Sequence, residues 1–155
     1  MENKPKLINP NRPYHRTEID LVFTKVKAQM QKEALNRGGD GLALYIDCYT
    51  GETLRGGDRY DYEHIRSAEE VFMTYRDQLT NEQIAEVVNC PENVSVTLRT
   101  INQSKGKIRM EEWLANPNNV SRNNIDLKLT KATLINADKG IRKKAGQILK
   151  GPKIL

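Results

Sequence analysis

From Asp126 onward, apolar residues return at intervals of seven: Leu127, Leu134, Ile141 and Ile148, with Ala137 and Ala145 beside them. A helix, turning once in about 3.6 residues, gathers such positions onto one stripe. The segment therefore predicts a single long helix with an apolar seam, and that seam must be buried against the body of the protein or against a second copy. The segment is also cationic. Residues 119–155 carry nine lysines and arginines against Asp126 and Asp138, a local charge of +7, while the whole chain is +5 and the remainder therefore −2. A cationic segment on a nearly neutral body fits a polyanionic partner, with a solvated helix face as the plainer alternative.

The 155 residues suffice for one domain with a modest core. With a mean hydropathy of −0.70, no apolar run approaches the roughly 18 residues of a membrane span, so no membrane partner is expected. The opening MENKPKLINPNRPYHR is polar and broken by prolines, unlike a secretory signal. Cys48 and Cys90 stand far apart, there is no CxxC, and the chain has two histidines. A structural zinc site and a disulfide framework are not expected, and a reduced cytoplasmic setting is.

A polar arm, residues 1–16, precedes an amphipathic helix over 17–39, for which Thr17 is the candidate cap and Gly38-Gly39 the stop. Two β-prone runs follow, 42–46 and 59–65, and predict a hairpin with a long connection through Thr50-Gly51 and Gly56-Gly57. Ser67 and Thr80 are placed to cap two short helices, the second with Gln83 in a capping box. VSV is a short extended stretch, and TLRTINQSK a helix closed by Gly106. Another turn or two of helix follows at MEEWLANP. The fold class is thus α+β.

Four polar features recur in order at its centre: Glu63-His64 closing a β-run, Asn93 after the connecting segment, Asn102 in the next helix, and Lys105-Gly106 ending it. They suit phosphodiester hydrolysis. Water must lose a proton near neutral pH, and neutral imidazole is the side chain tuned to take it. A divalent cation would offset charge on the phosphate, and hard cations take oxygen donors such as a carboxylate and an amide. Strand geometry sets a condition, because neighbouring side chains point to opposite faces. Glu63 and His64 share a site only if the strand bends between them or the substrate straddles its edge.

The stretch CYTGETL…YDYEHI…PENVSVTLRTINQSKGK resembles the HNH, or ββα-metal, endonuclease family over residues 42–114, with a helical insertion at 67–90. The family's acid-histidine pair falls on Glu63-His64, its loop asparagine on Asn93, and its helix residue, followed by xxKG, on Asn102. The resemblance implies a metal-dependent DNA endonuclease in which His64 is the general base and Asn93 orders the loop and orients it. Glu63 and Asn102 would hold one Mg²⁺ or Mn²⁺. A restriction enzyme, a mobile-element nuclease and a phage-encoded nuclease are all compatible with this reading. The chain departs from it in three ways: glutamate stands where aspartate is commoner, the 66–92 connection is long, and zinc cysteines are absent.

Around this constellation, Arg66, Arg99 and Lys105, together with Arg142, Lys143 and Lys144 of the basic segment, are candidate phosphate contacts. Tyr60 and Tyr62 read as packing residues, Cys48 and Cys90 as small buried ones, and Trp113 as an anchor for the helix after the motif. A single ββα site cuts one strand, and a homodimer through the 127–148 seam would cut two. The competing readings are an inactive relative and a non-catalytic helix-turn-helix protein, with TNEQIAEVVN as first helix and Thr97, Arg99 and Asn102 facing a major groove. The proline-bearing NCPEN turn and the β-branched start at VSVT weigh against the latter.

Overall fold

The computed structural model describes residues 7–151, an α+β architecture of seven helices and four short strands among the described residues. Helix α1 (Thr17–Gly38) buries Ile19 and Ala34 and stops where Gly39 takes a positive φ of 68°. Its N-cap is Arg16, one residue earlier than expected and without a side-chain cap. The Arg16 carbonyl accepts from the Asp20 amide (2.8 Å) and its guanidinium pairs with the Asp20 carboxylate (3.0 Å).

The hairpin differs from the expected one. Strand β1 (Leu44–Ile46) pairs with β2 (Thr53–Arg55), and β3 (Tyr60–His64) with β4 (Val94–Leu98), both antiparallel. The reason lies in the turn after β1. Asp47 Oδ1 accepts from the amides of Tyr49 (2.8 Å) and Thr50 (3.2 Å), and Gly51, at φ 76°, donates to the Asp47 carbonyl. This tight reversal returns the chain at once onto TLR. The other Asp47 contacts reach β4, from Thr97 Oγ1 and the Leu98 amide, so one fully buried carboxylate ties the first hairpin to the second strand pair.

Between β3 and β4 the chain makes a helical excursion: α2 (Ala68–Tyr75), α3 (Asn81–Val88) and a 3-10 turn (Pro91–Asn93). Ser67 caps α2, and Thr80 with Gln83 forms the expected capping box on α3. Strand β4 runs directly into α4 (Arg99–Lys105), stopped by Gly106 at φ 52°. Helices α5 (Met110–Leu114), α6 (Pro117–Arg122) and α7 (Leu127–Lys150) complete the fold. Because α3 and α4 are separated by the 3-10 turn and β4, residues 94–98 are a strand and the two helices do not meet through a tight turn.

The α7 seam faces inward. Leu134, Ala137, Ile141 and Ala145 are buried, Ile148 packs beside them, and Leu127 at the start is 44 % exposed. Ile141 and Ala145 join a cluster with α1, α2 and α3 residues, whereas Leu134 and Ala137 join Tyr49, Ile101, Met110 and Trp113. The seam thus closes the core of the same chain. Hydroxyls of Thr130 and Thr133 donate to the Tyr49 and Cys48 carbonyls, fixing the helix to the turn after β1. Tyr45, Tyr60 and Tyr62 pack on one another around Leu54 and Val96 in a third cluster. Among the described residues no helix is long and apolar enough to cross a membrane.

Candidate functional site

At the end of β3 the pleat sends neighbouring side chains apart, and Glu63 and His64 follow that rule. Glu63, 5 % exposed, points toward α4, where Lys105 Nζ lies 2.8 Å from Oε1. Both Glu63 oxygens are buried, and beyond this ammonium neither has a hydrogen-bond donor of good geometry among the described residues. The Tyr49 hydroxyl, also buried and without a partner, lies within the influence of this carboxylate. Burial pushes the Glu63 carboxyl above the usual range, with the Lys105 ammonium acting against it. The contact is an ion pair of two enclosed groups, since Lys105 is itself 5 % exposed.

His64 points toward α1 and α3. Its Nε2 is 2.8 Å from Asn89 Oδ1, and Phe23 packs on the ring with centroids 4.1 Å apart. The Lys27 ammonium stands 4.5 Å from the centre of that phenyl ring. Burial lowers the imidazole pKa from 6.5 to about 4, so the ring is neutral at pH 7.

Asn93 touches neither group. Fully buried, it accepts from the Arg66 amide (2.7 Å) and donates to the carbonyls of Arg66 (3.0 Å) and Val88 (2.8 Å). It thereby pins the backbone just beyond His64. The Arg66 side chain turns away from the cleft and forks onto Asp138 and Glu111, joining the end of β3 to α7 and α5. All three guanidinium nitrogens are engaged, which leaves this arginine a structural tie.

Asn102 sits on α4 with its Nδ2 donating to Asp61 Oδ2 (3.0 Å), and Arg99 Nε donates to the other Asp61 oxygen (2.9 Å). With the amide nitrogen so directed, Asn102 Oδ1 has no donor among the described residues.

Glu63, His64, Asn102 and Lys105 line one small cleft of about 200 Å³, together with Arg16 at the N-cap of α1, Phe23 within α1 and Lys107 just beyond α4. The cleft brings four of the expected residues together. Arg66 and Asn93 lie behind it, Arg99 is engaged by Asp61, and Arg142 lies with Arg66 and Asp138 along a separate groove. Arg142 and Lys143 are exposed on α7, and Lys144 is half-buried. Asn89, Phe23, Asp61, Arg16 and Lys107 escaped the sequence reading. Asp61 carried a signal, standing two positions before Glu63 on the same strand face; the others carried none.

Among the described residues no cluster of three or more His, Cys, Asp or Glu is arranged to hold a metal ion. The side-chain oxygens lining the cleft are the Glu63 carboxylate, the Asn102 amide and the Tyr62 and Ser67 hydroxyls. Glu63 and Asn102 Oδ1 are oxygen donors of the kind a hard divalent cation takes, and water and phosphate would fill its remaining positions. Lys105 supplies the positive charge there, and an incoming ion would share Glu63 with it or displace it. No protein-family model, curated protein or solved structure matches this chain.

Proposed function

We propose that this protein is a divalent-metal-dependent endonuclease of the HNH type that hydrolyses phosphodiester bonds in DNA at the cleft between β3 and α4. One observation carries the reading: an antiparallel strand pair leading directly into a helix, with Glu63, His64 and Asn102 around a single cleft. In this reading His64 removes a proton from water as the oxygen attacks phosphorus in line, and the bond to the 3′ oxygen breaks. A neutral ring at pH 7 is the protonation state such a base requires. Held by Glu63 and Asn102, a Mg²⁺ or Mn²⁺ ion would neutralise charge on the phosphate and on the departing oxygen. Arg16 and Lys107 border the cleft and offer cations to the flanking phosphates. DNA rather than RNA is the substrate by the family resemblance alone.

A second reading, an inactive relative that binds without cutting, is favoured by the Lys105–Glu63 pair, which already satisfies the charge of the carboxylate. A supercoiled-plasmid assay separates the two. Nicking that needs Mn²⁺ or Mg²⁺ and disappears in His64→Ala supports the nuclease. A mobility shift without nicking in either metal supports the inactive relative. Metal-dependent nicking by His64→Ala removes His64 from the chemistry.

A further inference from the structure

Asn89 lies in the helical insertion between the segments that carry the family resemblance, at the C-cap of α3, and is 5 % exposed. Its amide group is fully engaged. Nδ2 donates one proton to the Ala85 carbonyl (2.8 Å) and the other to the Ile19 carbonyl (3.1 Å). The flipped amide would set Oδ1 against two carbonyl oxygens with no proton between them, so the orientation is fixed by its partners. Oδ1 therefore faces His64 Nε2 at 2.8 Å, and an amide oxygen can only accept. The hydrogen must be on Nε2. In a neutral imidazole one nitrogen carries the proton and the other a lone pair, so the bond at Nε2 determines what Nδ1 can do.

We infer that Asn89 is a positioning residue, which holds His64 as the Nε2–H tautomer and leaves Nδ1 as the nitrogen that can receive a proton. Three further features agree. Nδ1 has no hydrogen-bond partner among the described residues, and the ring lines the cleft with Glu63, Asn102 and Lys105. Phe23 covers the ring at 4.1 Å and opposes its rotation about the Asn89 bond. The Ile19 contact also makes α1 part of the mount, so α1 and α3 together orient one imidazole on β3. The tautomer assignment stands on hydrogen bonding alone; its catalytic meaning rests on the nuclease reading.

The plainer role for Asn89 is to cap α3 and fasten α1 to it, and the tests separate the two. The chain has two histidines, so His15→Asn leaves a single imidazole whose ring nitrogens can be observed by long-range proton–nitrogen correlation at pH 7.5. A proton on Nε2 is the expected result, and a proton on Nδ1 overturns the inference. Asn89→Ala, in the same background, should populate both tautomers. It should also lower kcat for plasmid nicking by at least about tenfold with KM little changed, as expected when a base is misaligned. Asn89→Asp loses both amide donors but keeps an acceptor, and should restore the Nε2–H signature. Should Asn89→Ala fail to fold, the parent and Asn89→Asp spectra still decide the matter, and an Nδ1–H signal in either one counts against it. Cleavage by a protein whose ring is protonated at Nδ1 sinks the positioning role alone; an Nε2–H ring in a protein that never nicks DNA sinks the nuclease reading alone.

Discussion

Helix α7 holds two glycines six positions apart whose replacement by alanine should act in opposite directions. Gly140 faces the 3-10 turn, and a Cβ there would fall inside contact distance of the Glu92 Cβ, with Glu92 Cδ only 2.7 Å away. The carboxylate end of Glu92 can swing aside, but its Cβ is fixed to the backbone of the turn. Helix or turn must therefore move. Gly146 lies in the same helix with nothing within 4 Å of such a methyl group. Alanine is better than glycine in a helix interior by about 1 kcal/mol, and overpacking a close contact costs about 1–3 kcal/mol. With the obstacle attached to backbone, the upper part of that range applies. Gly140→Ala should then destabilise by about 2 kcal/mol net, and Gly146→Ala should stabilise by up to about 1 kcal/mol. Urea unfolding of both variants beside the parent measures the difference, provided the slope with denaturant is unchanged. Equal or greater stability for Gly140→Ala relative to Gly146→Ala would refute the argument that α7 touches the turn through a missing side chain. The turn also carries Asn93, so any displacement should reach the backbone after His64.

Three further outcomes are expected. His64, lowered from 6.5 to about 4 in the fold, binds its proton more readily when unfolded, so it contributes stability above pH 6.5 that is lost as pH falls toward 4, about 3 kcal/mol in all. Arg16, Asp20 and Lys27 face the ring, and Glu63 beside it acts oppositely because its own carboxyl is raised; the comparison of parent with His64→Gln across this window isolates the histidine, and parallel stability curves would refute it. Lys105→Met, which leaves the Glu63 carboxylate enclosed and unpaired, should cost about 3 kcal/mol at neutral pH. The deficit should shrink on acidification or on adding Mn²⁺, and thermal melts insensitive to both would dissociate Glu63 from any cation. Charge reversal at Arg142, Lys143 and Lys144 should weaken DNA binding and flatten its dependence on salt, since fewer counterions are released; an unchanged slope in a fluorescence titration would return these side chains to the solvated face of α7.

The long-period features were the most legible. The apolar repeat of α7 and the caps at Ser67, Thr80 and Gly106 are local, and local rules suffice for them. Strand pairing was not local. Alternation in YDYEHI tells which residues share a face and says nothing about the partner, so β3 was expected beside 42–46 although it lies against β4. The shortness of the Asp47–Gly51 reversal was the overlooked clue. At the candidate site, the order of Glu63, His64 and Asn102 was readable, whereas the directions of long side chains were not. Arg66 and Lys105 look alike as cations in the sequence; one is spent on Asp138 and Glu111, the other on Glu63. Asn89 gave no warning, because an asparagine at a helix end is ordinary until an imidazole is found opposite.

The Arg66 fork gives the cationic helix a fixed station. Its guanidinium reaches α5 and α7 from just beyond the end of β3, and the threonine hydroxyls of α7 hold the turn after β1. A basic segment so bolted is a rail, not a tether. Its charges stand at fixed positions on the fold, and a polyanion bound there, as the proposed function has it, would meet them without any folding of the protein.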